Sequence, residues 1–291
     1  MNKYEEIMLK RYGERYAKYR ETYKSNDIKE NLPFPLQIDL DLLDACPLKC
    51  PTCHSIGRKR NTKPISRELL AQIICECNEN DLCAINIGGC GEPLLNKGLT
   101  FETLNELKNT SVMDVFLHTS GLLMDKACAQ DLIDLGVTHL CISVDATTQE
   151  TFEKMRGAKL SKLIDNIENF LALRKNELPV LRVSFLATSV NIHEKEKFIE
   201  FWKDKAHTVD IQNYHKSYDI QPNVQVTKQE KAGYSDKLPM SSPKSKRMAI
   251  VAPEYLCTSC GGTEVQFSIE NDDTFKKHKT IKNYWDSLLL R

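Results

Sequence analysis

The sequence predicts an α/β fold: a partial (β/α)6 barrel with an N-terminal helix and a short C-terminal cap. Three observations carry this reading. Six short apolar stretches between residues 36 and 215 alternate with helical stretches, and strands separated by helices are joined by parallel crossovers. The first 31 residues read as one charged helix. After His215 the chain turns polar and weakly basic, with prolines and serines, which reads as a long linker before a short tail. The predicted boundaries are 1–31 for the helical segment, 32–215 for the barrel core and 216–291 for the linker and C-terminal extension.

In the first segment Tyr4, Met8, Tyr12, Tyr16, Tyr19 and Tyr23 recur at spacings of three and four. That places them on one helix face, which is expected to pack onto the main domain. "PLQIDLDLL" (36–43) is the first predicted strand. "ISRELLAQIICECNEN" (65–80) is a helix with Ser66 as its N-cap. "CAINIGG" (83–89) is a strand and "TFETLNELKN" (100–109) a helix. "DVFLHTSG" (114–121) is a strand, followed by the helix "DKACAQDLIDLG" (125–136), which Gly136 stops. "HLCISVDA" (139–146) is a fourth strand, and helices follow at 148–157 and 160–175. "VLRVSFLATS" (180–189) is a fifth strand, 193–206 a helix, and "TVDIQNY" (208–214) a sixth strand. The tail, 248–291, is too short to fold alone without a metal or docking onto the core.

Composition narrows the function. The chain has 291 residues, enough for one large core, with 40 basic and 40 acidic side chains. That balance lacks the basic footprint of a nucleic-acid partner. No run of eighteen apolar residues and no signal-peptide pattern is seen, so a cytoplasmic protein with no membrane partner is expected. Eleven cysteines on such a chain favour reduced thiols and metal ligation over a disulfide framework.

Three of them stand in "DACPLKCPTCH" (44–54), as Cys46-x3-Cys50-x2-Cys53. In a four-iron cluster each iron takes one external ligand, so three thiolates leave one iron open. In parallel α/β barrels the active site is built by loops after the strands, which is where this loop falls. Spacing alone leaves a zinc site or a ferredoxin-like redox centre open.

The same spacing after a first strand resembles the signature of the radical S-adenosylmethionine (radical SAM) enzymes, which have TIM-like barrels. The resemblance covers about residues 36 to 215. It implies a 4Fe–4S cluster on Cys46, Cys50 and Cys53 whose open iron binds S-adenosylmethionine (AdoMet). It also implies reductive cleavage of AdoMet to a 5′-deoxyadenosyl radical that abstracts substrate hydrogen, and a reducing partner such as flavodoxin or ferredoxin. "NIGGCGEPLL" (86–95) resembles the family's glycine-rich loop, so Gly89, Cys90, Gly91, Glu92 and Pro93 are candidate cofactor contacts, with carbonyls and the Glu92 carboxylate suited to the AdoMet amine. "HTSG" stands where relatives carry Thr-Asn-Gly and adds Ser120. By position in the family, Ser143 and Arg156 approach the AdoMet carboxylate or ribose, and an arginine can fork a carboxylate. Asp145 could hold a hydroxyl or act in proton transfer, and Gln212 faces cofactor or substrate. One departure is Thr52, where the family carries an aromatic or large apolar residue near adenine.

A looser resemblance, through residues 191–215 and the terminal "NYWDSLLLR", is to SPASM-type members, whose cysteine-rich extension binds auxiliary clusters. Only Cys257 and Cys260 remain in this tail, so the extension is read as degenerate. SPASM relatives modify peptides or oxidise sugar-like alcohols. The short, purely helical N-terminal segment tilts the expectation to a small molecule, a sugar or cyclitol. A ribosomal-peptide or enzyme maturase is the alternative, and a non-catalytic iron–sulfur electron carrier or partner subunit is the alternative of another class.

Overall fold

The computed structural model describes residues 3–25, 32–53, 62–213, 247–251, 255–257, 279–283 and 286. Its elements are α1 (Lys3–Lys24), β1 (Gln37–Asp41), α2 (Arg67–Glu79), β2 (Ala84–Ile87), α3 (Lys97–Leu107), β3 (Asp114–Thr119), α4 (Lys126–Asp134), β4 (His139–Ser143), α5 (Gln149–Arg156), α6 (Leu160–Leu173), β5 (Val180–Ala187), α7 (Lys195–Trp202), β6 (Thr208–Asn213), β7 (Arg247–Val251) and β8 (Tyr255–Cys257). The sheet runs β6-β5-β4-β3-β2-β1-β7-β8, with every pair parallel except β7 with β8. β1 and β6 are not paired, so the six parallel strands form an open, partial barrel, as the alternation predicts.

The two extra strands were not expected from the sequence. β7 adds to the free edge of β1 in register from Gln37 opposite Arg247 to Asp41 opposite Val251. Its five residues, "RMAIV", lie between a polar run and a proline, too short a signal to stand out. Met248 and Ile250 are buried in the core, and Ile281 packs there too, its N–H donating to Glu76 Oε2 at 2.8 Å.

Local chemistry fixes the helix starts. Ser66 caps α2 by accepting from Leu69 N–H at 3.2 Å, and Asp125 caps α4 by accepting from Cys128 N–H at 2.8 Å. α1 is one segment with a break at Gly13 rather than a continuous helix to 31. Its tyrosine face packs as expected: Tyr4, Met8, Tyr16 and Tyr19 are buried against Ala84, Met113 and Val180, at the strand N-termini. The helix therefore floors the barrel.

The strands divide their faces sharply. Ile38, Leu40, Ile85, Ile87, Val115, Leu117, Leu140, Ile142, Val183 and Phe185 meet the helices in one apolar cluster. The alternate residues point the other way, into the barrel, and are largely polar. Asp39, Asn86, Phe116 and His139 share one level, His118, Cys141, Arg182 and Thr208 the next, then Ser143, Ser184 and Asp210. A parallel sheet covered by helices usually reads apolar on both faces. This inner face is built for polar contents.

Candidate active site

The loops after the strands converge on a cavity of about 270 Å³ at the C-terminal end of the barrel. Its lining gathers Cys46, Cys50, Cys53, Gly89, Cys90, Gly91, Glu92, Ser120, Ser143, Asp145, Arg156 and Gln212. Of the residues singled out in the sequence, Pro93 alone does not line it; it begins the 3-10 turn Pro93–Asn96 behind the loop. Thr52, at the adenine-side departure, lines the same cavity. His54 and His215 lie outside the described residues, as does Cys260.

The cysteine loop is set by a turn in which Cys53 N–H donates to Cys50 O at 3.0 Å. Cys50 is buried, and burial raises its thiol pKa while the neighbouring Arg156 guanidinium opposes that rise. Cys46 and Cys53 are half-exposed, and no described cysteine is in a disulfide. Among the described residues no three His, Cys, Asp or Glu side chains converge on one point that could hold a single metal ion. Three cysteines that each serve a different iron of a cluster need not converge in that way.

The glycine-rich loop is held from two sides. Asp41, at the end of β1, accepts from Cys90 N–H at 2.8 Å, and Ala45 O accepts from Glu92 N–H at 2.8 Å. Burial pushes the Asp41 carboxyl up to about 6, against the stabilising N–H groups of the loop. Gly91 is required by close approach: a Cβ there would sit 2.0 Å from Leu43 O. The glycine thus lets this loop press against the strand that leads into the cysteines.

Glu92 does not face the cavity with an unspent carboxylate. It is 2% exposed and accepts from Thr119 Oγ1 at 2.7 Å, Ser120 N–H at 2.8 Å, Ser120 Oγ at 2.6 Å and Leu94 N–H at 3.2 Å. It binds the second loop to the third, and Ser120 serves that joint. The four acceptor positions of the Glu92 carboxylate are thus filled from within the protein.

Asp145 follows β4 in the left-handed region, φ 65°. Asp tolerates that conformation better than most residues, and such strain concentrates at functional sites. Its Oδ1 accepts from Leu186 N–H at 2.6 Å, and its carbonyl accepts from buried Asn191 Nδ2 at 2.9 Å. Its Oδ2 pairs with Arg156 Nη2. Arg156 Nη1 points at Cys50 Sγ, 3.7 Å away, while its Nε is buried without a hydrogen-bond partner. Burial works against the guanidinium charge, but Asp145 and Cys50 outweigh it and hold Arg156 above its ordinary range. Gln212 is exposed, and its Nε2 donates to Asp210 Oδ2 at 2.7 Å.

The residues fit a cluster with a bound amino-acid-like cofactor. Three thiols outside any disulfide sit in one loop, Gly89, Cys90 and Gly91 line the same cavity, and a buried guanidinium keeps one N–H unspent. Sequence reasoning missed Asp41, Asn191 and His118. The first two act behind the cavity, and His118 lines its floor. The polar alternation in "IDLD" and "VFLHTS" was the signal that could have found Asp41 and His118.

Comparison with known proteins agrees. The profile of the Radical SAM superfamily matches residues 41–201. A probable GTP 3′,8-cyclase of Methanococcus vannielii is 30% identical over 165 residues, 56% of this chain and 54% of that protein. The chain thus spans about half the length of the curated relatives it matches. Among solved structures, Streptococcus suis SuiB bound to its precursor peptide SuiA superposes with a TM-score of 0.59 at 15% identity, covering 86% of this chain and 64% of SuiB. Native anSMEcpe with bound AdoMet superposes with a TM-score of 0.52 at 22% identity, covering 62% of this chain and 52% of that one. These two share the fold. With the family profile spanning more than half of the sequence, the chain belongs to the Radical SAM superfamily, whose enzymes use a 4Fe–4S cluster and AdoMet.

Proposed function

We propose that this radical SAM enzyme abstracts hydrogen from a small, polar molecule held inside the barrel. The observation that carries the reading is the polar inner wall, which continues downward from the cavity that gathers the cysteines, the glycine loop and Arg156. Cys46, Cys50 and Cys53 would ligate three irons of the cluster. The carbonyls of Gly89 to Gly91 would receive the AdoMet amine. Arg156, through its unspent Nε, would receive the carboxylate while Asp145 fixes its orientation. Ser143 and Gln212 line the wall on which ribose or substrate would rest. A reduced cluster held by these cysteines would supply one electron to AdoMet, the chemistry with which radical SAM enzymes begin hydrogen abstraction. The protein's part is to position the reactants and exclude water.

A one-electron donor such as flavodoxin or ferredoxin is the partner this chemistry requires. A reducing, cytoplasmic setting is part of the same reading, in keeping with eleven cysteines that favour reduced thiols and metal ligation, and no described helix is long and apolar enough to cross a membrane. A second reading follows from the relatives named GTP 3′,8-cyclase. Against a triphosphate, Arg20 and Arg182, which line the lower part of the barrel, are each already paired with a carboxylate.

Deuterium tracing tests the substrate class. Enzyme reduced anaerobically with AdoMet and an ultrafiltered small-molecule extract of cells grown in deuterated water should return deuterated 5′-deoxyadenosine. Label that appears only with the retained macromolecular fraction would overturn the small-molecule reading.

A further inference from the structure

Below the reaction cavity lies a second, larger chamber of about 440 Å³, between the inner face of the strands and α1. His118 borders both, so the two are stacked along the barrel. From Ser184 in the upper cavity to Arg182 in the lower is one two-residue step along β5, roughly 6.6 Å. Arg20, Tyr23 and Thr208 at the rim of the chamber are partly exposed, so it reaches solvent.

The chamber carries polar atoms that the fold does not use. Asn86 donates through Nδ2 to Asp39 Oδ1 at 3.0 Å, but its Oδ1 is buried with no partner. Asp114 Oδ1 accepts from the Tyr4 and Thr138 hydroxyls, but its Oδ2 is buried with no partner. Neither ring nitrogen of His139 has a hydrogen-bond partner, although the ring stacks on Phe116 with centroids 5.0 Å apart. Asp114 is 0% exposed, His139 6% and Asn86 8%. Buried polar groups without partners are rare and call for an explanation. Had this space been only structural, apolar side chains would fill it at lower cost.

The unspent atoms state what would fit. Asn86 Oδ1 and Asp114 Oδ2 are acceptors, so the occupant brings N–H or O–H donors. The Asp114 carboxylate is bonded to two neutral hydroxyls, whereas Arg20 and Arg182 are paired with Glu5 and Asp210. Lys24 also pairs with Glu5, and Asp39 is buried behind Asn86, so the four carboxylates on and behind the wall (Glu5, Asp39, Asp114 and Asp210) exceed the three cations (Arg20, Lys24 and Arg182) by one, which favours a cation and opposes phosphate or carboxylate. Tyr4, Tyr16 and Phe116 give aromatic walls, which suit an ammonium group. A neutral imidazole offers one donor and one acceptor, the pattern a hydroxyl meets. The volume lies in the range of small-molecule sites.

We propose that this chamber binds the ammonium end of the substrate, a small hydroxyl-bearing primary amine whose other end reaches past His118 to the reaction cavity. The assignment rests on the small-molecule reading above. Asn86 and Asp114 receive the ammonium, and His139 meets the neighbouring hydroxyl.

The probe is 2-amino-1,3-propanediol, against glycerol, which differs only in carrying a hydroxyl in place of the ammonium. Histidine-15N-labelled holoenzyme with AdoMet bound is titrated with each. The amine should bind saturably and move the His139 resonances, and glycerol should bind about tenfold or more weaker, the scale of a lost hydrogen bond to a charged group. His139→Phe and Asn86→Leu should each weaken the amine about tenfold or more. His139→Phe should melt no lower than wild type, since an apolar ring replaces one whose nitrogens have no partner, whereas Asn86→Leu also removes the donor to Asp39 and is scored on binding alone. No binding of the amine, equal binding of both probes, or undiminished binding in both variants overturns the proposal and leaves a water-filled chamber. If one variant fails to fold, the other decides. Reductive AdoMet cleavage by the wild-type holoenzyme, scored separately, reports on the proposed function alone.

Discussion

Ser120 gives both its backbone N–H, at 2.8 Å, and its hydroxyl, at 2.6 Å, to the Glu92 carboxylate. The loop after β2 is thereby fastened to the loop after β3 from inside the protein. Glu92→Gln turns one acceptor oxygen into an NH2 group that faces donors. It should lower stability by roughly 1.5–3 kcal/mol, the scale of a hydrogen bond to a charged group, and weaken AdoMet binding through the displaced carbonyls. Urea denaturation and calorimetric titration with AdoMet check both. Stability unchanged within error, with AdoMet affinity lost, would return Glu92 to a direct cofactor contact.

Arg156 and Asp145 form a buried pair beside Cys50. Arg156→Ala leaves a buried carboxylate unpaired and should lower stability by roughly 3–5 kcal/mol. In the Arg156→Ala/Asp145→Ala double variant the loss should be smaller than the sum of the single losses. Reconstituted iron should stay near wild type in all three, because neither residue is a proposed iron ligand. AdoMet binding should weaken in Arg156→Ala. Additive stability losses would dissolve the pair, and unchanged AdoMet affinity would take Arg156 out of the cofactor site.

Burial, with Arg182, His118 and His207 adding to it, pushes His139 down to about 3. The unfolded chain binds a proton near 6.5 that the folded chain refuses, so folding loses up to about 1.4 kcal/mol per unit as pH falls below 6.5. Asp41 and Asp114, each raised to about 6 by burial, act oppositely and favour folding as pH falls from 6 toward 4. The difference between His139→Phe and wild type isolates the histidine. The variant's stability advantage should grow as pH drops from 7 to 4.5 in parallel denaturant titrations. A flat difference would mean that His139 is protonated or solvated in the folded protein.

The iron count tests the tail. Cys257 stands opposite Ala249 in the antiparallel β7–β8 pair, one residue pair deeper than Leu256 opposite Ile250. β7 runs parallel to β1, so β8 carries the chain from the level of Asp41 at Tyr255 down to that of Asp39 at Cys257, away from the cysteine loop. The reconstituted chain should hold about four irons, one cluster, and Cys257→Ala/Cys260→Ala should leave that number unchanged. About eight irons, falling to about four in the double variant, would restore an auxiliary site.

The layout of the barrel was legible because each element speaks through local signals. Ser66 caps its helix, Gly136 ends one, and the apolar faces of the strands repeat with period two or fill whole runs. The cysteine spacing and glycine loop were legible because each is a contiguous stretch. What stayed hidden depends on pairing across the fold. Glu92 looks like a ligand until Thr119 and Ser120, brought close by the neighbouring strand, saturate it. Arg156 looks like a cofactor clamp until Asp145, fixed in turn by Asn191, takes one of its arms. β7 is five residues that acquire meaning only against the open edge of β1.

The central claim is that Cys46, Cys50 and Cys53 hold a cluster whose reduction cleaves AdoMet. Protein reconstituted anaerobically with iron and sulfide, then reduced with dithionite in the presence of AdoMet, should form 5′-deoxyadenosine and methionine. The Cys46→Ala/Cys50→Ala/Cys53→Ala variant, treated identically, should form neither and should lose the cluster's absorbance. 5′-Deoxyadenosine from the triple variant at the wild-type rate would contradict the account.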